Sequence, residues 1–421
     1  MDTSNSGPKS SKSQSVHIRT NDNSPKIINE SPFKAYLWKL RRLAIVCSIP
    51  SKMSLEIWKK SEVKTRILFL CLPLIYLIPA FDTLRFIWFI VASYTSKNTE
   101  YILGKCFMLM MKMCPGILTV IVTWKRSHVN ALIDDIQNYI LISPSNILKK
   151  RSNKCGTCNI LMIICITFIL SSTNQIILPT TLSDPQYFME VSGFPLSREN
   201  KLFTFMLIMN FTTDLWNAML FMPLAELRDA LTSIVIEEFK CLSKTLRETI
   251  PDIQDAKGKI IQRRINFNEK LDEIINQHTR LGLLMKGMNS VFEFCNGTIV
   301  LLFLIICCII SYEIANELVY QKGYVIQIAM GIMTALYCLY LIYIGLVVYS
   351  RAHQLVDHIY AMPLHDLSHE AIIKLSFFLH RLTSEQIGIS IGGCFVINPA
   401  SVLTLIGSII TYSIVAYQTR S

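Results

Sequence analysis

Residues 393–418 read GCFVINPASVLTLIGSIITYSIVAYQ, an apolar run long enough to cross a bilayer as a helix. A hydrocarbon core about 30 Å thick needs about twenty apolar helical residues. One face of the predicted helix nevertheless carries mostly hydroxyl and amide groups at helical spacing, here called the polar stripe: Ser401, Thr404, Ser408, Thr411, Val415 and Gln418. Such a face is poorly suited to lipid, so we expect it to pack closely against another helix or to line water.

The rest of the chain has the composition of a membrane protein. Hydrophobic residues make up 51% and charged residues 17%, which is too apolar for a set of soluble domains of this length. The apolar residues are concentrated in long runs separated by charged segments. These runs predict an all-α membrane protein with seven transmembrane helices at 67–91, 101–124, 160–179, 201–224, 291–312, 325–349 and 389–418.

The distribution of lysine and arginine predicts the orientation of the spans. Basic residues are concentrated before span 1, between spans 2 and 3, and between spans 4 and 5, whereas the alternate segments carry only Lys97, Arg198, Lys322 and Arg420. Because positively charged loops stay in the cytoplasm, we expect the N-terminus inside and the C-terminus outside, in a multi-pass protein. This topology accounts for the basic loops without nucleic acid. The first thirty residues lack an apolar signal region, so span 1 is expected to act as its own signal.

Three regions follow from this pattern. Residues 1–32 predict a disordered cytoplasmic tail. Residues 33–366 predict a six-span ligand-binding bundle, with 225–290 extending spans 4 and 5 into the cytoplasm as helices. Residues 367–421 predict a cytoplasmic anchor helix followed by the seventh span. Within 368–387 an apolar helical face indicates packing against the same chain or a second copy.

Neither the cysteines nor the histidines predict a bound cofactor. The predicted topology places no cysteine clearly in an outer loop, so no structural disulfide is expected, and Cys155 and Cys158 lack a second ligand pair for zinc. Five histidines cluster between spans 6 and 7: His353, His358, His365, His369 and His380. They leave open a membrane metalloenzyme, but no adjacent His-His pair or acidic ligand set accompanies them.

Polar side chains inside the spans are candidates for a small-molecule pocket. Ionisable and amide groups are costly in lipid, and a mostly apolar cavity with a few polar groups suits a small ligand. The candidates lie in spans 2, 3, 4 and 6: Lys105, Asn174, Gln175, Asn210, Asp214, Tyr324 and Gln327. Lys112 and Asp214 lie at similar depth and are alternatively a structural ion pair. The glycosylation sequons at Asn210 and Asn296 fall inside spans and are read as accidental.

The C-terminal residues carry a family resemblance. Thr411, Tyr412, five further residues and then Gln418 resemble the ending of the insect (arthropod) chemoreceptor superfamily, most closely its gustatory receptors. Gly393 and Phe395 are similar to the Gly-x-Phe that opens this region in the family. Thr419 departs from the family's usual phenylalanine. The resemblance extends to the whole chain, because the predicted seven spans and cytoplasmic N-terminus are also those of the family.

The resemblance implies a ligand-gated, non-selective cation channel in the plasma membrane, opened by a small-molecule tastant. Its four subunits would be copies of this chain or related receptors. It implies that the pore is lined by the seventh span through Ser408, Thr411, Val415, Gln418 and Thr419. An odorant receptor or co-receptor of the same superfamily remains an alternative, as does a seven-span receptor that signals through a partner without a pore of its own. On each of these interpretations, we expect that the protein is not an enzyme and needs no cofactor.

Overall fold

The computed structural model describes the backbone of residues 201–249, 260–315, 324–362 and 367–418, together with isolated positions between 80 and 136. Side chains are described for most residues of 224–249, 267–311, 334–362 and 367–415. The predicted tail at 1–32, span 3 and nearly all of span 1 therefore lie outside the described residues, as do the cysteine pair at 155 and 158 and Lys112.

Three long helices form the frame of the described chain. Helix α1 is Lys201–Thr249, α2 is Ile260–Ala315 and α3 is Tyr324–Tyr360. Each continues well beyond the apolar run that predicted it, so most of 225–290 is helical, as extensions of spans 4 and 5 would be, while their cytoplasmic location stays a prediction. Helices α1, α2 and α3 all pack against one another. Within the described residues, Phe267–Ser311 and Thr334–Tyr360 are long and apolar enough to cross a membrane, and Pro399–Val415 is a shorter apolar helix.

The charged ends of these helices share a continuous buried core. Phe239 of α1, Leu271 and Leu281 of α2, and Leu355 of α3 are almost completely inaccessible to solvent. His278 lies among them, with its ring 5.5 Å from that of Phe239. A core of this density explains why segments rich in charge remain helical, because burial of one apolar face stabilises a long helix far more than local propensity does.

Helix α4, His369–Ser384, is the amphipathic helix predicted from the sequence. The Ser368 hydroxyl caps it by accepting a hydrogen bond from the amide of Ala371. Its apolar side chains at 371, 375, 378 and 382 are buried against α2 and α3. Of the two packing modes left open by the sequence, packing against the same chain is therefore observed. Lys374 on its flank forms an ion pair of 2.9 Å with Asp272 of α2.

The predicted seventh span is wrong in its first ten residues. Residues 389–398 form a β-hairpin, with β1 at Ser390–Ile391 and β2 at Phe395–Val396 in antiparallel register. Gly392 and Gly393 have φ angles of 60° and 74°, which residues other than glycine rarely adopt. These two residues turn the chain back on itself. An apolar composition alone could not distinguish this hairpin from the start of a helix.

Helix α5, Pro399–Gln418, is the part of the predicted span that is helical. Its start is fixed by Asn398, whose side-chain oxygen accepts from the amide of Ser401 while the Ser401 hydroxyl accepts from the amide of Asn398. Proline at the first helical position suits such a start, because its fixed φ is helical and it lacks an N–H that would need a partner. The Asn-Pro pair is thus a helix cap.

Candidate functional site

Helix α5 has one face that packs on its own chain. Val402, Leu405 and Ile409 contact the core. One turn further on, the hydroxyl of Ser413 lies 3.0 Å from that of Ser311 on α2. These residues recur at helical spacing, so a single side of α5 is attached to α2. The opposite side is left for something other than the described part of this chain.

Most of the polar stripe lies on that opposite side. Thr404, Thr411, Val415 and Gln418 are exposed, and Ser401 and Ser408 are half-buried. A Cβ added at Gly407 would meet nothing within 4 Å. Thr404, Thr411 and Val415 of the stripe are therefore accessible beside the described residues of their own chain. Thr419, the fifth predicted pore residue, lies outside the described residues.

The hydroxyl groups of the stripe are oriented by their own helix. Thr404, Ser408 and Thr411 each donate to the carbonyl oxygen four residues earlier, at 3.0, 2.9 and 2.9 Å. A hydroxyl has one proton and two lone pairs, so a group that donates to the backbone still offers its oxygen as an acceptor. The stripe accordingly presents a row of oxygen acceptors, although α5 contains no charged residue.

Large apolar side chains cover the remaining exposed surface of α5. Leu403 is 70% exposed, Ile410 54% and Ile414 53%. These residues adjoin the polar stripe around the helix circumference. A helix with one apolar and one acceptor-rich exposed side fits an environment that is lipid or protein on one side and water on the other.

The hairpin that leads into α5 is attached to α2 through the main chain of β1. Asn289 donates to the carbonyl of Gly388 at 2.9 Å and accepts from the amide of Ser390 at 3.0 Å. Asn296 donates to the carbonyl of Ser390 at 3.2 Å. The amide of Gly392 donates to the backbone carbonyl of Glu293 at 2.8 Å.

These contacts complete the hydrogen bonding of the strand. The groups on residues 388, 390 and 392 all point to the same edge of β1, because alternate residues of a strand do so. The other edge pairs with β2. Two asparagine side chains and one helix carbonyl thus take the place of a third strand. An unpaired strand edge is costly away from water, and this arrangement removes that cost.

A buried arginine lies behind this attachment. Arg228 of α1 is only 4% exposed and forms a 2.7 Å ion pair with Asp229. It also donates to Asn296 at 3.3 Å and to the hydroxyl of Tyr337 on α3 at 3.1 Å. A guanidinium has five donors in a planar fork, which lets one side chain join three helices. Burial works to lower the pKa of Arg228, but interactions with Tyr337 and Asp229 outweigh burial and keep that pKa above its ordinary value, so the group stays charged.

A second basic residue reaches the same part of α2 from the segment predicted to follow span 2. The ammonium of Lys125 donates to the carbonyl of Ser290 at 2.6 Å and lies 3.8 Å from the carboxylate of Glu293. The hairpin at 389–398, here called the base of α5, is therefore attached to a part of α2 that also contacts Arg228 and Lys125. These residues could not be recognised from the sequence, because Arg228 and Lys125 resemble ordinary loop charges and Asn296 stands out only as part of a glycosylation sequon.

The predicted pocket residues are less fully placed. Asn210 and Asp214 lie on the first half of α1, and Tyr324 and Gln327 lie on the first turn of α3, with their side chains outside the described residues. The other three predicted pocket residues, Lys105, Asn174 and Gln175, also lie outside them. The structure therefore leaves the pocket a prediction.

Four of the five histidines that cluster in the sequence lie on α3 and α4, and two of them have hydrogen-bond partners of their own. His353 contacts the carbonyls of Tyr349 and Glu385, and His358 lies 3.0 Å from the hydroxyl of Ser243. His369 and His380 are exposed on α4, and His365 falls in the gap at 363–366. Among the residues that the structure describes, no three metal-ligating side chains come together.

The profile of the 7tm chemosensory receptor family matches residues 34–420. The chain belongs to this family. The match spans far more than half of the sequence and includes the hairpin and α5. The chain is accordingly a multi-pass seven-transmembrane chemosensory receptor and not an enzyme, as the sequence predicted at that level.

Solved structures agree on the fold of the receptor. It is similar to the insect olfactory receptor OR5 from Machilis hrabei in complex with eugenol, with a TM-score of 0.62 and 13% identity over 91% of this chain and 99% of that one. A second structure of OR5 from Machilis hrabei gives a TM-score of 0.61 and 13% identity over 92% of this chain and 99% of that one. None of the curated proteins matches the receptor.

Proposed function

We propose that the receptor is one subunit of a ligand-gated, non-selective cation channel, assembled from four copies around a central pore. The observation that carries this proposal is the side of α5 left uncovered by the described chain, where the polar stripe presents oxygen acceptors. Four copies of that side around an axis would form a hydroxyl-lined conduit. The N-terminus would be cytoplasmic and the C-terminus extracellular, in the plasma membrane.

The chemistry of the stripe favours cations without selecting strongly among them. Thr404, Ser408 and Thr411 use their protons within the helix, so a passing ion meets the partial negative charge of their oxygens. No acidic ring is available on α5 to impose stronger selectivity. A ring of Val415 would close the conduit by dewetting, and Gln418 would form an uncharged polar ring beyond it.

We further propose that the receptor is gustatory and that a tastant opens it. The C-terminal residues Thr411, Tyr412 and Gln418 support this choice through their resemblance to gustatory receptors. The tastant would bind among the spans that carry Lys105, Asn174, Gln175, Asn210, Asp214, Tyr324 and Gln327. Binding would open the channel only to the extent that the ligand prefers the open arrangement.

An olfactory role is the second candidate. It is favoured by the similarity to OR5, whose structure was determined with eugenol. The identity of 13% supports a common fold and leaves the ligand class open to experiment. The two roles share the same proposed channel and differ in the compounds that open it.

Expression of the receptor alone in cells without other chemoreceptors tests both proposals. Whole-cell current would be recorded during application of sugars, bitter compounds and volatile phenols, eugenol included. Current evoked by nonvolatile tastants supports the gustatory role, and current evoked only by volatile compounds supports the olfactory one. A receptor at the cell surface that signals only through a G protein, with no current of its own, would contradict the channel.

A pair of charge variants at one position tests the pore assignment. Gln418→Glu would place a ring of negative charge in the pore and increase the preference for cations over anions, whereas Gln418→Arg would decrease it. Both variants introduce a charge at the same exposed position, so each controls for the other's effect on folding. Reversal potentials under a sodium chloride gradient measure the preference. Equal reversal potentials in both variants would contradict the assignment.

A further inference from the structure

Three parts of the fold meet at Asn296, the central residue of the α2 attachment. Its side-chain oxygen accepts from Arg228 on α1, and its side-chain nitrogen donates to the carbonyl of Ser390 on β1. The side chain is 1% exposed, so water is not available to replace either bond. The same burial makes Asn296 inaccessible to glycosylation, in agreement with the interpretation of this sequon as accidental.

Arg228 determines which way the Asn296 amide points. A guanidinium can only donate, so the atom of Asn296 that faces it must be the oxygen. The –NH₂ group is then directed at Ser390, where a carbonyl needs a donor. Rotating the amide by 180° would oppose two donors on one side and two acceptors on the other. The Arg228 contact and the β1 contact are therefore coupled through a single side chain.

The hairpin transmits position to α5 because it has little freedom of its own. A Cβ at Gly297 would lie 2.9 Å from the Cα of Gly392, and a Cβ at Gly345 of α3 would lie 2.6 Å from the Ile397 side chain. Ile397 is buried, and Asn398, which caps α5, follows it directly. If β1 shifts along α2, the first turn of α5 is therefore expected to shift with it, because few residues separate the two.

We propose that Asn296 is the positioning residue that joins the pore helix to the receptor bundle. Arg228 holds its amide in the orientation that binds β1, so that movement of α1 relative to α2 alters the placement of α5. This inference rests on the channel proposed above for its consequence in gating. Its structural part, the dependence of the hairpin on Arg228, can be tested without current or ligand.

Hydrogen exchange of the purified receptor in lipid nanodiscs tests the structural part. Asn296→Asp keeps an acceptor for Arg228 and loses the donor to Ser390. We expect it to accelerate exchange of the amides in 388–397 about fivefold to tenfold, the effect of one lost hydrogen bond. The decisive variant is Arg228→Lys. The side-chain hydrogen bonds of Arg228 in the described chain go to Asp229, Asn296 and Tyr337, none of which is in the hairpin. The variant should nevertheless accelerate the same amides, because lysine cannot reproduce the fork that orients Asn296.

A matched control comes from the same helix. The buried oxygen of Asn268 has no hydrogen-bond partner within the described part of the chain. Asn268→Asp makes the same chemical change on α2 far from the hairpin and should leave exchange in 388–397 unchanged. Unchanged exchange in 388–397 with Arg228→Lys, or equal acceleration in α4, would overturn the proposal. Should Arg228→Lys fail to fold, Tyr337→Phe removes one partner of Arg228 at lower cost and is judged by the same criteria.

Single-channel recording of the reconstituted receptor separates this inference from the channel proposal. With no ligand added, Asn296→Asp and Arg228→Lys should change the spontaneous open probability severalfold and leave unitary conductance as in the wild type. Altered conductance with unaltered open probability would place Asn296 in the pore and overturn a positioning role. A wild-type receptor that never conducts would refute the channel, while the exchange result would still decide whether Arg228 controls the hairpin.

Discussion

Helices α4 and α5 are consecutive in the chain and differ in where they find their partner. Helix α4 buries one face, formed by Ala371, Leu375, Phe378 and Leu382, against α2 and α3, and leaves Phe377 exposed on its outer side. Helix α5 attaches one side to α2 and leaves large apolar residues such as Leu403 exposed beside the polar stripe. The contrast teaches that the apolar face of α4 stabilises the described fold, whereas the outer side of α5 has surroundings that the described residues do not supply.

The strongest test of this contrast compares two neighbouring phenylalanines on α4. Phe378 is 3% exposed and Phe377 is 73% exposed. Phe378→Ala should lower the free energy of unfolding by about 3–5 kcal/mol, because it leaves a cavity in a closely packed core. Phe377→Ala should change it by no more than about 0.5 kcal/mol. Titration of the purified receptor with a denaturing detergent measures both.

The phenylalanine pair also tests whether α4 contacts a second copy. If Phe377→Ala destabilises the receptor as strongly as Phe378→Ala, then the outer side of α4 is also buried in the assembly. The division between a self-sufficient α4 and a dependent α5 would then be wrong. Comparing the effect in the assembled and the dissociated protein would locate the additional contact.

Two glycines extend the comparison to the base of α5. Gly297→Ala should destabilise the receptor by about 1–3 kcal/mol, because its Cβ would meet the backbone of Gly392, which cannot move aside as a side chain can. Gly407→Ala on α5 meets nothing within 4 Å and should stabilise the helix by up to about 1 kcal/mol. The same unfolding titration measures both changes. A clear loss of stability with Gly407→Ala would show that something other than the described residues packs closely at this site.

The serine pair between α2 and α5 should have a smaller effect. Ser413→Ala removes the hydrogen bond to Ser311 and should cost about 1 kcal/mol. A double-mutant cycle with Ser311→Ala isolates the interaction, since the double variant should then cost less than the two single changes together. Thr411→Ala is the matched control on the exposed side: it should alter unitary conductance, whereas Ser413→Ala should leave it unchanged. The reverse result would mean that α5 is rotated about its axis in the assembly.

The smallest expected effect belongs to the ion pair on the flank of α4. Lys374 contacts Asp272 and Glu370, and these hydrogen bonds raise its pKa above the ordinary value. Because the pKa of Lys374 is raised on folding, the contribution of this ion pair to the free energy of unfolding is constant at neutral pH. It is lost only as the pH rises through the pKa of Lys374 in the folded state. Lys374→Gln should therefore shift the melting temperature slightly at low salt and not measurably at high salt. A large, salt-independent shift would contradict this placement.

The sequence predicted the general architecture because membrane spans follow from long apolar runs. The polar stripe was also predictable, since its three- and four-residue spacing is a property of α5 alone. The packing of α4 on its own chain was one of two open possibilities. Only the tertiary structure shows that α2 and α3 extend far enough to cover its apolar face.

The base of α5 was not predictable for a physical reason. Residues 389–397 are apolar, and hydropathy cannot distinguish a hairpin from a helix when neither contains charge. The paired glycines 392 and 393 and the Asn-Pro sequence at 398 were the available local signals. Arg228 and Asn296 lie 68 residues apart, and their contact depends on how α1 crosses α2. Such a contact has no periodic signature in either segment.

The attachment of β1 also restricts how the length of this segment can change. Helix α2 binds backbone groups of residues 388, 390 and 392, which lie on one edge of β1, while the other edge pairs with β2. Inserting or deleting one residue among them would exchange the two edges, so that the edge now bound to α2 would face β2. Adding or removing two residues would preserve the alternation. We therefore expect relatives that keep both asparagines to differ in length here only by even numbers.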